Sequence, residues 1–289
     1  MEAPAASAGA APAADAVRAA ARAFERDRYL SALLAPAAVR DDLIALAAFA
    51  GEIARIPASV SEPMVGEIRL QWWRDTLDAA LRTGISATGH PIADALAGTM
   101  RRHRLDASLI HGLLDAMAER LDDLPFADTT VLDRHLAAWD GGLFRLAWHV
   151  LGGIGEPPRL LAEAGEVYGM SRCLIEAPVE LAQGRVVLPR ALMDAHGITL
   201  ENARAPAAAA GWRTLQASLA AASGERARPV LASYQVADAK VRLAALPLAL
   251  VKPYLRVSER IDVAALEAHD VAPLTRVWRL WLVSRTGRA

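Results

Sequence analysis

Residues that favour the α-helix dominate this chain from Val17 onward, and this property limits its fold more than any other. Alanine, leucine, arginine and glutamate are all good helix formers, and they recur throughout the sequence. Strict alternation of apolar and polar residues, which is typical of a half-buried strand, is scarce. We therefore predict an all-α protein whose helices pack as a central bundle.

Proline and glycine mark where the predicted helices begin and end. Pro36 precedes a helix over 37–56, and Ser61 with Pro63 forms the N-cap and first turn of a helix that ends near Arg82. Further helices are predicted over 92–103, 107–121, 129–151, 158–182, 189–195, 208–223, 227–249 and 271–284. Residues 1–16 are rich in alanine and proline, and we expect a disordered tail there. No linker divides the remainder, so we predict one helical domain over residues 17–289.

Composition excludes several classes of protein. The 289 residues are 54% hydrophobic and carry a formal net charge of −1, which supports a sizeable core and argues against a nucleic-acid partner. A single cysteine, Cys173, excludes an internal disulfide and a cysteine zinc site, as expected inside a cell. The longest apolar run, Leu243–Val251, is shorter than the roughly 20 residues that span a bilayer.

Four segments carry the most specific pattern. They are residues 27–40, with Leu34-Ala35-Pro36 and Arg40; residues 51–63, ending in Ser-Val-Ser-Glu-Pro; residues 66–74, with Glu-Ile-Arg-Leu-Gln-Trp-Trp; and residues 168–189, ending in Gly-Arg-Val-Val-Leu-Pro. Together they resemble the squalene/phytoene synthase family, from about residue 24 to residue 282. The second and third segments are similar to a non-catalytic branch of that family, which contains the mitochondrial complex I assembly factor and bacterial relatives. The resemblance implies a single-domain helical bundle around a central cavity, as in isoprenoid synthases.

The family's enzymes join two prenyl diphosphates with Mg²⁺ held between two aspartate-rich motifs, and the resemblance indicates where those motifs fall here. The first falls at Ala54, Arg55 and Ala58, which offer no carboxylate. The second falls at Glu176 and Glu180, which keep the negative charge and the i, i+4 spacing on one helix face. These two glutamates are the candidate for a remnant metal site. Pro178 lies between them and removes a backbone hydrogen bond from the helix.

Four arginines suggest a second kind of site. The guanidinium groups of Arg40, Arg55, Arg172 and Arg185 suit an anionic ligand because arginine binds phosphate and carboxylate through paired donors. The alternative is internal ion pairing with Glu52, Glu176 and Glu180, since a buried acid is tolerated only when it is paired.

Two surfaces are candidates for binding larger partners. Arg69, Trp72, Trp73 and Arg74 could form a partner surface because tryptophan and arginine are enriched at interface hot spots. Adjacent tryptophans on a helix point about 100° apart, so at least one belongs in the core. The basic and aromatic stretch 274–285 suits a membrane surface; the alternative is a last core helix with a solvated basic face.

The resemblance and the residues together favour a pseudoenzyme. We expect a non-catalytic factor in complex I assembly, to which we assign no catalytic residue and no cofactor. It would bind complex I subunits or assembly proteins, and it would be cytoplasmic or peripheral at the inner membrane, in the mitochondrial matrix if eukaryotic. Its cavity would hold a lipid or isoprenoid, or would be filled by arginine–glutamate pairs. The alternative is an active farnesyl or geranylgeranyl transferase that uses Mg²⁺ at Glu176 and Glu180.

Overall fold

The structure, a computed structural model, describes residues 7–84, 88–122 and 124–289, and it confirms the all-α fold class. These described residues contain fourteen α-helices and no strand. The helices of the first half are α1 (Ser7–Phe24), α2 (Arg26–Leu33), α3 (Ala37–Ala54), α4 (Ile56–Ser59), α5 (Pro63–Thr83), α6 (Pro91–His103) and α7 (Ala107–Ala118). Those of the second half are α8 (Thr129–Val150), α9 (Leu160–Ala182), α10 (Arg190–Ala195), α11 (Ala209–Val236), α12 (Ala239–Ala244), α13 (Val251–Ser258) and α14 (Pro273–Thr286). Three short 3₁₀ helices, Pro206–Ala208, Leu246–Leu250 and Val263–Ala265, connect some of them.

The first of two compact units comprises residues 1–122 and 145–157. Its central helix is α3, which packs against α1, α2 and α6. Residues 43–51 of α3, which are apolar or glycine, are buried without interruption, as expected for a helix segment that is apolar on every side. The helix α5 packs against α6 and α7.

The second unit comprises residues 123–144 and 158–289. Its central helix is α9, which packs against α11, α13 and the 3₁₀ helix Leu246–Leu250. The helices α8 and α9 approach closely at two glycines. A Cβ on Gly165 would lie 2.1 Å from the backbone nitrogen of Gly141, so no larger residue fits there without moving a helix.

The N-terminal segment differs from its prediction. Helix α1 begins at Ser7, so residues 7–16 are helical where we predicted a disordered tail; residues 1–6 lie outside the described residues. The helix packs along α3 and buries Val17 and Ala21. Alanine-rich sequence therefore forms helix here because tertiary contacts stabilise it, which composition alone does not reveal.

The predicted division between helices 208–223 and 227–249 is also wrong. One helix, α11, runs from Ala209 to Val236, straight through Gly224 and Pro229. Buried residues continue at helical spacing on both sides of these two positions, including Leu219, Ser223, Ala227 and Val230. The continuous buried face outweighs the local preference of glycine and proline for a break.

The longest apolar run of the sequence belongs to the core of the second unit. Residues 244–251 are all buried. They run from the end of α12 through the 3₁₀ helix Leu246–Leu250 to the start of α13. Within the part of the chain that the structure describes, no helix has both the length and the hydropathy needed to cross a bilayer.

Candidate functional site

The helix α9 presents both glutamates of the second motif, and it continues through Pro178 without a break. Proline has no amide hydrogen, so the carbonyl of Leu174, four residues earlier, has no donor within the helix. Gln216 of α11 replaces that donor: its Nε2 donates to the Leu174 carbonyl at 2.7 Å. Gln216 is buried. The long helix therefore keeps Glu176 and Glu180 one turn apart.

Glu176 is paired with an arginine on the same helix. Its Oε1 accepts from Arg172 Nε at 3.0 Å and from Arg172 Nη2 at 2.9 Å. The side chain of Glu176 is 46% exposed, so solvent screens this i, i+4 pair.

Glu180 is held more firmly, by Arg185. Arg185 donates from Nε to Oε2 at 2.9 Å and from Nη2 to Oε1 at 3.2 Å, and it also contacts Gln183 Oε1. Only 11% of the Arg185 side chain and 23% of the Glu180 side chain are exposed. Two parallel donors to one carboxylate form the strongest arrangement that arginine offers.

The end of α9 explains why Arg185 faces Glu180. Gly184 has a φ of +84°, the left-handed conformation in which glycine commonly terminates a helix. The amide of Gly184 donates to Leu181, and the amide of Arg185 donates back to the carbonyl of Glu180 at 2.9 Å. This Schellman turn reverses the chain and places the guanidinium beside the carboxylate. The Gly-Arg pair in the fourth sequence segment therefore fixes the local geometry.

The positions predicted for the first motif lie in the other unit, and their residues are Ala54, Arg55 and Ala58. Ala54 ends α3 and Arg55 follows it, with its guanidinium 3.8 Å from the centre of the Phe24 ring and 3.9 Å from Glu52. Ala58 is an exposed residue of α4. Among the described residues, no group of three His, Cys, Asp or Glu side chains is arranged to hold a metal ion.

The four predicted arginines therefore have different partners. Arg172, Arg185 and Arg55 contact Glu176, Glu180 and Glu52, respectively. Arg40 differs, because its Nη2 donates to the carbonyl of Ala35 at 3.1 Å. Its buried Nε has no hydrogen-bond partner within the described residues.

The predicted partner surface on α5 contains one core tryptophan and one exposed tryptophan. Trp73 is 3% exposed and packs edge-on against Phe49 and His90, with ring centres 5.3 and 5.2 Å apart. Trp72 is 41% exposed and leans on Trp73. Arg69 donates to Ser59 Oγ at 2.8 Å and Arg74 pairs with Asp115, so both arginines also brace α5.

The α5 surface extends further than the sequence analysis proposed. Met64, Val65 and Ile68 are exposed, and together with Trp72 they form what we call the α5 stripe. The signal was present as apolar residues at i, i+4 and i+8 directly after Pro63, a spacing that places them on one helix face. We missed it because such spacing is more often that of a core face.

Comparison with known proteins identifies the family. A family model described as squalene/phytoene synthase matches residues 21–278. The chain belongs to the squalene/phytoene synthase family. Two similar individual proteins are named NADH dehydrogenase (ubiquinone) complex I, assembly factor 6: the bovine protein is 30% identical over 60% of this chain, and the human protein is 28% identical over 60%. The matched part is 52% of each relative, so the chain spans about half of their length.

This chain is also similar to proteins with other names. The bifunctional protein CrtB/UppS of Streptomyces coelicolor is 33% identical over 64% of this chain and 32% of its own length. Among solved structures, squalene synthase HpnC from Alicyclobacillus acidocaldarius matches with a TM-score of 0.70 at 18% identity, over 86% of this chain and 94% of its own. A dehydrosqualene synthase matches with a TM-score of 0.72 at 13% identity, over 96% of both chains. At these identities the two structures establish the fold alone.

Proposed function

We propose that this protein is a non-catalytic factor in the assembly of respiratory complex I, which uses the synthase fold as a binding scaffold. The observation that carries the proposal is the pairing of both second-motif glutamates with arginines of the same chain. The names of the bovine and human relatives support the assembly role.

The donor set of this chain does not suit a Mg²⁺–diphosphate centre. Mg²⁺ prefers oxygen ligands from carboxylates and substrate phosphates, whereas the positions that the resemblance assigns to the first motif offer two alanines and Arg55. The carboxylate of Glu180 is already engaged by both donors of Arg185. We therefore infer that the glutamates are structural and that no prenyl diphosphate is ionised here.

The α5 stripe is the candidate surface for a protein partner. Charges of both signs border it, since Glu62, Glu67 and Arg69 are all exposed. A mixed rim around an apolar centre is typical of protein–protein interfaces and gives a partner both contact area and register. The occupant that we propose is a subunit or assembly protein of complex I.

Deletion of the gene in the native host tests the assembly role. We expect lower NADH dehydrogenase activity in membranes and less intact complex I on native gels. Wild-type protein and Glu176→Gln should both restore the complex, because a half-exposed structural acid is dispensable for binding. Normal complex I after deletion would contradict the role. If Glu176→Gln is well expressed and fails to restore the complex, the Glu176 carboxylate has a catalytic role instead.

The same complementation assay tests the surface. Ile68→Asp places a charge in the α5 stripe, and we expect it to fail to restore complex I at wild-type protein levels. Ile154→Asp is the matched control because Ile154 is 92% exposed and lies outside the stripe. Full restoration by Ile68→Asp would show that the stripe does not bind the partner.

A further inference from the structure

The last helix, α14, is oriented with a charge inside and apolar side chains outside. Arg276 is 4% exposed, and its guanidinium donates to Asp270 Oδ2 at 3.1 Å and to the hydroxyl of Tyr254 at 3.1 Å. Leu274, Val277 and Trp278, its neighbours on the helix, are 85%, 49% and 59% exposed. We predicted a basic stretch that includes Arg276; the structure places this arginine in the interior, where its acid partner compensates for the cost of burial.

The exposed apolar residues form one continuous face. Leu274, Trp278 and Trp281 follow one another at spacings of four and three residues, and Val277 lies beside them. The rings of Trp278 and Trp281 stack with centres 5.2 Å apart and planes inclined by 30°. Exposure of such an apolar surface to water is unfavourable, and a contiguous exposed apolar patch is typical of a binding surface.

Exposed cations lie at the C-terminal end of this face. Arg285 lies one turn beyond Trp281 on the same side of the helix, and both Arg285 and Arg288 are exposed. Arg279 is half-buried and donates from Nε to the carbonyl of Ala249 at 3.3 Å, and burial together with the charge of Arg256 lowers its pKa. No acid follows Asp270 in the sequence, and Asp270 is engaged by Arg276. In the part of the chain that the structure describes, neither Arg285 nor Arg288 forms an ion pair with an acid.

We propose that α14 docks this protein on the surface of an anionic membrane. Its apolar face would enter the boundary between headgroups and acyl chains, where tryptophan is favoured, while the exposed Arg285 and Arg288 contact lipid phosphates. A 14-residue helix is about 21 Å long and suits a position in the plane of the membrane. The charge distinguishes this face from the α5 stripe, whose border carries both signs.

Sedimentation of the full chain with vesicles tests this proposal. We expect binding to vesicles of equal parts phosphatidylglycerol and phosphatidylcholine at low salt, and release by about 0.5 M NaCl. Binding to pure phosphatidylcholine should be at least about tenfold weaker. The double variant Trp278→Ser/Trp281→Ser should lose about tenfold or more in partitioning, and Arg285→Glu should weaken binding to the anionic vesicles only.

Matched controls keep the outcome interpretable. Trp72→Ser removes a tryptophan of the same exposure as Trp281, 41%, from another helix, and Arg204→Glu reverses an exposed arginine outside α14; both should bind as the wild type does. All the variants change exposed residues, and circular dichroism checks their fold. The proposal is overturned if the wild type does not sediment, or if the double variant binds equally well. It is also overturned if the double variant abolishes a dimer seen without lipid, since the face then belongs to a second copy of the chain.

Discussion

At the scale of single residues, Gln216 compensates for the amide that Pro178 lacks. An unsatisfied buried carbonyl costs about 1–3 kcal/mol, and Gln216 prevents that cost at Leu174. Its own Oε1 has no hydrogen-bond partner within the described residues. The Leu174 carbonyl therefore gains a donor, while the side-chain oxygen of Gln216 lacks one. The role of Gln216 depends on the amide hydrogen that Pro178, 38 positions away in the sequence, does not have.

A double-mutant cycle measures this compensation. We expect Gln216→Met to lower the free energy of unfolding by about 1–2 kcal/mol in the wild type, because Leu174 loses its donor. In a Pro178→Ala background the backbone amide of the substituted residue supplies that donor, so the same change should cost about 1 kcal/mol less. Urea denaturation gives both values. Equal costs in the two backgrounds would contradict the assignment.

The two arginine–glutamate pairs should differ in strength. Glu180→Gln weakens a largely buried two-donor pair, and we expect a loss of about 1–3 kcal/mol in stability. Glu176→Gln disturbs a half-exposed pair and should cost less than about 0.5 kcal/mol. The two variants serve as controls for each other in thermal or urea unfolding. A larger effect at Glu176 than at Glu180 would be inconsistent with this geometry.

At the scale of elements, buried Asp42 joins α3 to α6. Its Oδ1 accepts from Thr99 Oγ1 and Arg102 Nε, both at 3.1 Å, and His103 Nε2 lies 2.6 Å from Oδ2. Burial raises the pKa of Asp42, but the hydrogen bonds from Arg102 and His103 outweigh burial and hold the pKa below the ordinary 3.8. The carboxylate is therefore stabilised in its charged form in the folded protein.

This pKa predicts a dependence of stability on pH. A depressed pKa contributes stability above the ordinary value of 3.8, and that contribution disappears as the pH falls below 3.8 through the folded value. We expect Asp42→Asn to be less stable than the wild type at pH 7, with a difference that shrinks in this acid range. The adjacent Asp41, 74% exposed, gives the control Asp41→Asn. A difference that is constant with pH would refute the role of ionisation.

The crossing of α8 and α9 gives a second prediction for elements. Gly165→Ala forces a Cβ against the backbone of Gly141 and should cost at least about 2 kcal/mol, since overpacking typically costs 1–3 kcal/mol. Gly112→Ala in α7 meets nothing within 4 Å and should stabilise by about 0.5–1 kcal/mol. Thermal melts of both variants compare a glycine packed against a neighbouring backbone with a glycine that has open space around it. Similar melting temperatures would show that the helices do not approach so closely.

The sequence predicted the helices better than it predicted their partners. The predicted helix over 129–151 matches α8 within one residue, because its apolar spacing and flanking turns agree. The extent of α1 and the continuity of α11 depend on burial against other helices, which spacing does not reveal. The pairs of Glu176 and Glu180 were foreseen as one of two alternatives, and the Schellman turn at Gly184 decides the geometry of the second. Nothing in the sequence indicated Gln216, because its role depends on a tertiary contact.

At the scale of the whole molecule, the chain keeps the family fold along almost its full length, and we propose that it does so without the acidic motif of the synthases. A TM-score of 0.72 over 96% of the chain accompanies only 13% identity. Fold persists at such divergence because the pattern of buried helix faces survives substitution, whereas function depends on a few side chains. We therefore regard the protein as a synthase scaffold whose surfaces carry its function.

Diphosphate release from farnesyl and geranylgeranyl diphosphate tests this account most directly. The assay contains Mg²⁺ or Mn²⁺, with and without a reductant, and an active squalene synthase as the positive control. For a sample shown to be folded by circular dichroism, we predict no release above the background without protein. Steady turnover that is lost in Glu176→Gln or Glu180→Gln would contradict the account and make these glutamates part of a working prenyl transferase.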